Sequence, residues 1–317
     1  MNIILGTMTF GEQLFEENVK NIICEYLDAG YDQLDTAYVY NDGMSEKLIG
    51  TALKEIPRDS IKIDSKVNPR ITGKLDSNAV RLQLEGSLER LGTDYIDTYY
   101  IHFPDRNTPI EDALEKIDEY YQKGHIRNLG ISNFPAELVE YVCKVCNENN
   151  WILPNAYEGL YNPFSRRAEN ELNGVLNKHN IRFNCYNPLA GGLMTNKYSD
   201  FNEKPSQGRF TYRPNYLNRY WKESFFEALR SVKSVCKDLG IDIAEATFRW
   251  LSNSSMLDSE RHDGIIIGVS KKEHLKKNIE YINCERLPEE LILCFEKAWE
   301  ICSKDAPEYY RYYGDKM

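Results

Sequence analysis

Short apolar runs alternate with helical stripes about eight times along this chain. That rhythm limits the available folds more than any other feature of the sequence. Ile3, Ile4 and Leu5 stop at Gly6; Val19, Ile22, Ile23, Tyr26 and Leu27 then recur at helical spacing until Gly30. Further short strands are expected at 31–34, 61–65, 96–101, 126–131, 155–157, 182–186 and 264–267. Helices are expected at 45–53, along Val80, Leu84, Leu88 and Leu91, along Leu114, Ile117 and Tyr121, and along Leu138, Val142 and Val145. Others fit 167–179, 224–239, 243–252, 271–281 and 289–302. Strict alternation calls for a parallel sheet with helical crossovers. Eight units in roughly 300 residues point to an α/β chain folded as a (β/α)8 TIM barrel rather than an open doubly wound sheet. The chain reads as a single domain over residues 1–317. No G-x-G-x-x-G follows the first strand, so the usual sign of a Rossmann fold is missing. The longest irregular stretch, 194–222, is rich in Asn, Pro, Tyr and Arg and reads as a lid or binding loop.

The charge balance narrows the partners. Net charge is −10 and the Lys and Arg residues are scattered, which argues against a nucleic acid or an anionic membrane. No apolar stretch approaches the roughly 20 residues of a membrane span, and the start M-N-I-I-L-G does not read as a signal peptide. The eight cysteines lie at irregular positions, as expected of reduced thiols in a cytoplasmic protein. Cys143 and Cys146 form C-x-x-C inside a helical stripe and read as helix-face residues. His125, His179, His262 and His274 show no ligand spacing, so no metal is expected.

Functional residues of such barrels collect where the strands end. Asp35, Lys66, His102, Ser132 with Asn133, Glu158, Tyr186 with Asn187, and Gly268-Val269-Ser270 all stand where an apolar run stops. Singly, an Asp–Lys pair reads as structural and a histidine as a satisfied core residue; the series reads as an active site. Tyr40, five residues after Asp35, suggests a phenolic acid. A free tyrosine has a pKa of about 10, and bringing it to about 7 requires about 4 kcal/mol of phenolate stabilisation. The Lys66 ammonium, held by Asp35, is expected to supply much of that. His102 would orient a carbonyl oxygen.

With Asp35, Tyr40, Lys66 and His102 in this order, the chain resembles the aldo-keto reductase family from Gly6 to its C-terminus. The D-T-A-x-x-Y segment carries much of the likeness. Within the family it is most similar to the aflatoxin-aldehyde and succinic-semialdehyde reductase branch. That likeness rests on V-Y-N-D-G-M-S-E (39–46), W-I-L-P (151–154), Y-N-P-L-A-G-G-L (186–193), N-R-Y-W-K-E (218–223) and the stretch 307–311. The resemblance implies NADPH/NADP+ as cofactor and hydride transfer to an aldehyde or ketone. It implies that Ser132 and Asn133 bond the carboxamide and that Tyr186 stacks on the nicotinamide. Asn187, Pro188, Leu189, Gly191 and Gly192 would wrap the pyrophosphate, with Met8 and Lys197 beside them. Gly268, Ser270, His274 and Asn278 would hold the adenosine end. Lys272, Lys271 and Arg209 are substitutes there for the usual 2′-phosphate grips, or Lys271 and Lys272 form a solvated helix face.

Glu158 stands where relatives carry Gln or Asn. Ionised, it accepts but cannot donate, and its charge would weaken NADPH relative to NADP+. Paired with a cation or protonated, it would not. Tyr216, Arg219 and Arg311 match positions where relatives hold a substrate carboxylate, unless Arg219 caps a helix or pairs with Glu223. Met8, Phe103, Trp221 and the tail tyrosines Tyr309, Tyr310, Tyr312 and Tyr313 are candidate apolar walls. A homodimer follows from resemblance alone. Two rival readings are an aldolase using Lys66 as a Schiff base, disfavoured because Asp35 would keep the amine protonated, and a regulatory nucleotide-binding barrel subunit without significant turnover.

Overall fold

The computed structural model describes residues 1–206 and 208–315; Gln207, Lys316 and Met317, which fall in the predicted domain span, lie outside the described residues. Eight parallel strands close into one barrel: β1 (Asn2–Gly6), β2 (Gln33–Asp35), β3 (Lys62–Val67), β4 (Ile96–Ile101), β5 (Ile126–Ser132), β6 (Pro154–Leu160), β7 (Arg182–Tyr186) and β8 (Gly264–Gly268). They run round the barrel in chain order, and β8 closes on β1 with Ile4 opposite Ile266 and Gly6 opposite Gly268. The expected (β/α)8 barrel is the observed fold. Among the described residues no helix is long and apolar enough to cross a membrane.

Helical crossovers join the strands because parallel neighbours cannot be linked by a tight turn. The helix Ser77–Leu91 shows how local sequence sets one. Asp76 caps it, accepting from the backbone N–H of Ala79 at 2.8 Å, and Gly92 ends it in the left-handed region at φ 65°. Val80, Leu84 and Leu91 are its buried stripe. Two predicted elements differ from the structure. The helix expected over 167–179 is two pieces, Ala168–Glu171 and Asn173–His179. The stretch read as irregular over 194–222 contains the short helices Arg209–Tyr212 and Asn215–Tyr220.

One glycine positions the site. Lys66, Tyr100 and Gly130 lie side by side on β3, β4 and β5. A Cβ on Gly130 would come within 2.3 Å of the Tyr100 ring, so only glycine admits that ring. Tyr100 in turn lies under Lys66, whose Nζ is 5.2 Å from its centroid.

The tail returns over the strand ends. Arg311 donates its backbone N–H to the Asn133 carbonyl at 2.9 Å, and Tyr313 donates to the Pro104 carbonyl at 2.8 Å. The Tyr309 hydroxyl accepts from the Ala136 N–H at 3.0 Å, and Arg106 pairs with Asp315 at 2.6 Å. These contacts suspend the tail beside β4 and β5.

Candidate active site

The segment after β2 is built to hold Tyr40. Asn41 and Asp42 take left-handed conformations with φ of 51° and 54°, which Asn and Asp tolerate better than most residues. Asn41 Nδ2 anchors the turn by donating to the carbonyls of Met8 (3.0 Å) and Phe10 (2.7 Å). Behind it, Glu46 accepts from Ser65 at 2.6 Å and from Arg90 Nε at 2.7 Å, with Glu46 fully buried. The N-D-G-M-S-E motif is therefore the brace of the Tyr40 turn.

Lys66 is the hub beneath. Its ammonium bonds Asp35 and the Thr36 carbonyl (3.0 Å), and stands 3.2 Å from Glu158 Oε2. It also faces the Tyr40 ring, 5.7 Å from the centroid. β6 runs past Glu158 to Leu160, which places the carboxyl inside the barrel. Lys66, Asp35 and Glu158 are all buried. One ammonium faces two carboxyls there, so two ionised groups would leave a buried negative charge. Burial first, then the Asp35 charge, push Glu158 well above the usual carboxylate range, and Lys66 only partly opposes them. Glu158 is the one that keeps its proton. Of the states left open by sequence, the protonated one fits this burial: as a neutral acid Glu158 both donates and accepts, as an amide does. Lys66 is raised well above its ordinary value, its carboxylate partners outweighing burial. A protonated amine is no Schiff-base nucleophile, which removes the aldolase reading.

Tyr40 also departs from expectation. Burial raises its pKa more than Lys66 lowers it, and the Asp35 charge raises it further. The ammonium expected to pull the phenol toward neutrality is neutralised by its own partners. The resting residue is a phenol with its proton in place.

His102 meets Tyr40 edge to face with centroids 6.0 Å apart. Burial and the charges of Lys66, Arg70 and Arg311 hold its pKa well below the ordinary value, so the ring is neutral. Its tautomer is set by Asn68. The Asn68 Oδ1 accepts from the Arg70 N–H at 3.0 Å, which turns its NH2 toward His102 Nδ1, also 3.0 Å away. An NH2 only donates, so Nδ1 accepts and Nε2 carries the hydrogen. Sequence reasoning passed over Asn68, although it stands two residues after Lys66 at the same strand end. Asn68→Leu is expected to lower kcat about tenfold, with cofactor affinity within about twofold of wild type by fluorescence titration; an unchanged kcat would mean the His102 tautomer is irrelevant.

One cavity gathers most of the residues singled out by sequence: Met8, Asp35, Tyr40, His102, Ser132, Asn133, Glu158, Tyr186, Asn187, Pro188, Arg209, Tyr216, Arg219, Gly268 and Arg311 line it, with Phe103. Asn68, Arg70 and Arg213 line it as well. Leu189, Gly191, Gly192, Lys197, Ser270, Lys272, His274 and Asn278 lie outside its lining. The Asn133 amide is already engaged. Its NH2 donates to the His102 carbonyl and to Ser132 Oγ, both at 2.9 Å, and its Oδ1 accepts from Tyr186 at 2.6 Å. It ties three site residues together, and its Oδ1 keeps a second lone pair. Lys272 pairs with Glu25 at 3.5 Å. Trp221 is not a cavity wall: it is buried against Tyr198, Phe210 and Phe226. The tail tyrosines are absent from the lining too, and Arg311 alone reaches in.

A nicotinamide cofactor suits the polar atoms left over. Glu158 Oε1 and Asn187 Nδ2 are buried without a protein partner. After Asn187 the chain turns through Gly191 and Gly192 with φ of 71° and 100°, and the Gly192 N–H closes that turn on the Leu189 carbonyl at 2.9 Å.

The comparisons agree with this geometry. The sequence profile of the Aldo/keto reductase family matches residues 2–300. The chain is 35% identical to Aldo-keto reductase family 7 member A3 of Homo sapiens, with 97% of this chain and 96% of that protein aligned. It is 35% identical to Aflatoxin B1 aldehyde reductase member 2 of Mus musculus, over 97% of this chain and 87% of that one. It is 33% identical to Oxidoreductase sirO of Leptosphaeria maculans, over 97% and 96%. The chain belongs to the aldo/keto reductase family, and it is an oxidoreductase that reduces aldehydes or ketones with a nicotinamide cofactor.

Proposed function

We propose that this reductase uses NADPH, that Tyr40 is its proton donor, and that its substrates carry a carboxylate. The observation that carries the reading is the stack of Asp35, Lys66 and Tyr40 facing a neutral His102 across one cavity. The bound cofactor supplies a hydride to the carbonyl carbon. Tyr40 gives its phenolic proton to the carbonyl oxygen. His102 donates from Nε2 to that same oxygen and fixes its position. Lys66 steadies the phenolate left behind, and Asp35 keeps Lys66 in place.

Ser132, Glu158 and Tyr186 are the residues proposed for the nicotinamide, with Asn133 positioning them. Asn187, Pro188, Leu189, Gly191 and Gly192 are proposed for the pyrophosphate. Gly268, Ser270, His274 and Asn278 are proposed for the adenosine end. Support for NADPH comes from His274, whose pKa is lowered by burial and by the charges of Lys197 and Lys271, with Glu273 opposing them and Lys277 adding to them. Such a gathering of cations suits a phosphomonoester. With Glu158 protonated, Glu158→Gln should leave the ratio of NADPH to NADP+ dissociation constants within about twofold at neutral pH. As pH rises and Glu158 ionises, wild type should increasingly favour the cationic NADP+ while the variant does not. A ratio that never diverges would sink this role.

Arg219 and Arg311 are proposed to hold the carboxylate. Arg219 makes no pair with Glu223; its guanidinium lies 5.4 Å from the Tyr216 centroid at the cavity wall. An aldehyde and ketone panel with NADPH and NADH, including semialdehydes with a free carboxylate, tests the whole reading. NADPH oxidation with carboxylate-bearing aldehydes is expected, and no turnover of any carbonyl would overturn it. A cytoplasmic location belongs to the same reading, supported by eight free cysteines. One domain over residues 1–317 is supported by the single closed barrel onto which the tail folds back. The homodimer is for sedimentation to test.

A further inference from the structure

The substrate end of the cavity holds more positive charge than one carboxylate can use. Arg70, Arg219 and Arg311 all line it, and none of the three pairs with a carboxylate among the described residues. Arg213 nearby is different, because Glu12 neutralises it at 2.7 Å. Arg70 and Arg311 share one aromatic ring: their guanidinium carbons lie 5.7 Å and 5.3 Å from the Phe103 centroid. Phe103 in turn stacks on His102, with centroids 4.8 Å apart and planes 6° from parallel. Both arginines therefore lie close to the imidazole that orients the carbonyl. Arg311 Nε is buried without a partner. Burial and the like charges of Arg70 and Arg219 loosen the hold of Arg311 on its proton. In a chain of net charge −10, three cations left facing one another mark a place where an anion is missing.

We propose that this reductase takes carbonyl substrates whose far end is dianionic, with Arg70 supplying a third contact beside Arg219 and Arg311. The proposal rests on the carboxylate-bearing reading above and extends it. A carboxylate has two oxygens, and two guanidiniums satisfy it. A third guanidinium matches either the third oxygen of a phosphomonoester or a second carboxylate. Arg70 can serve because it stands on the short helix Pro69–Thr72 directly after β3 and is exposed at the mouth. Its backbone N–H is held by Asn68, the residue that sets the His102 tautomer. Recognition of the anion and orientation of the carbonyl thus meet at one turn.

The test uses wild type, Arg70→Gln, Arg70→Lys and Arg311→Gln with saturating NADPH. Matched aldehydes report the effect of charge as ratios of kcat/KM. Glyceraldehyde 3-phosphate is compared with glyceraldehyde, and (2-oxoethyl)malonate and succinic semialdehyde with butanal. Arg70→Gln should lower a dianion-to-neutral ratio at least about tenfold and the succinic semialdehyde ratio less than about threefold, with partial recovery in Arg70→Lys. A response of the phosphate pair alone assigns a phosphomonoester, and of the malonate pair alone a dicarboxylate. Equal loss for the monoanion and the dianions, or no loss for either dianion, overturns the proposal. An unchanged succinic semialdehyde ratio in Arg311→Gln instead overturns the carboxylate reading, separately from the role of Arg70.

Discussion

Tyr40→Phe is expected to cut kcat by roughly 10²–10⁴ while NADPH still binds. Phenylalanine keeps the ring that packs edge to face on His102 and removes only the hydroxyl that carries the proton. No neighbour can take over. His102 is neutral, with its pKa well below the ordinary value, and a neutral imidazole N–H is a weak acid. Lys66 is committed to Asp35 and the Thr36 carbonyl. The raised Tyr40 pKa also sets the pH dependence. Carbonyl reduction needs the protonated phenol, so its rate should hold steady through neutrality and fall only at alkaline pH. Alcohol oxidation needs the phenolate and should quicken as pH rises. Stopped-flow hydride transfer with fluorescence titration of NADPH checks both halves. A loss of less than about tenfold would remove Tyr40 as the acid.

Lys66→Met should destabilise the fold by about 3–5 kcal/mol near neutral pH, a fall of roughly 10 °C in Tm. Methionine fills the space of the aliphatic stem. It leaves Asp35 and Glu158 buried with no cation. Glu158 already keeps in the folded state a proton that it releases when unfolded, and Lys66 is what opposes that upward shift. Without Lys66 the folded pKa of Glu158 lies further above its unfolded value of about 4, so the variant loses more stability than wild type as pH rises from about 4 toward neutrality. The deficit against wild type should therefore be largest near pH 7 and close in acid. Urea unfolding at two pH values measures it, and an equal deficit at both would refute the account. Adding Glu158→Gln to Lys66→Met removes one of the two orphaned carboxyls and should restore part of the loss.

The gathering of Asp35, Tyr40 and His102 at one cavity with Lys66 beneath was legible because they are charged or polar residues interrupting or following apolar runs. The strands were legible for the same reason, since the ladder of β4 needs all of Ile96–Ile101 buried. What sequence could not show was how deeply each group is buried. Tyr40 was expected to be drawn toward neutrality by Lys66, yet burial outweighs the ammonium and the Asp35 charge adds to burial. For the same reason sequence left open whether Glu158 is ionised, paired with a cation or protonated. Trp221 was open between wall and core, and it turns inward onto Phe226. Asn68 and Arg70 escaped notice because their importance comes from the turn after β3, where one side chain caps the backbone of the other. Nothing in their residue type announces that.

The suspended tail has a consequence for how such an enzyme changes over time. The residues proposed as acid, ammonium and carbonyl-orienting imidazole belong to the barrel, whose strands cannot shift without breaking the core. Arg311 arrives on a strap held by two backbone bonds and a few side-chain contacts at the rim. Selectivity and reactivity are thus written in parts of the chain with different freedom to drift. A lineage can exchange what it reduces by rewriting a short peripheral strap while the chemistry passes down untouched.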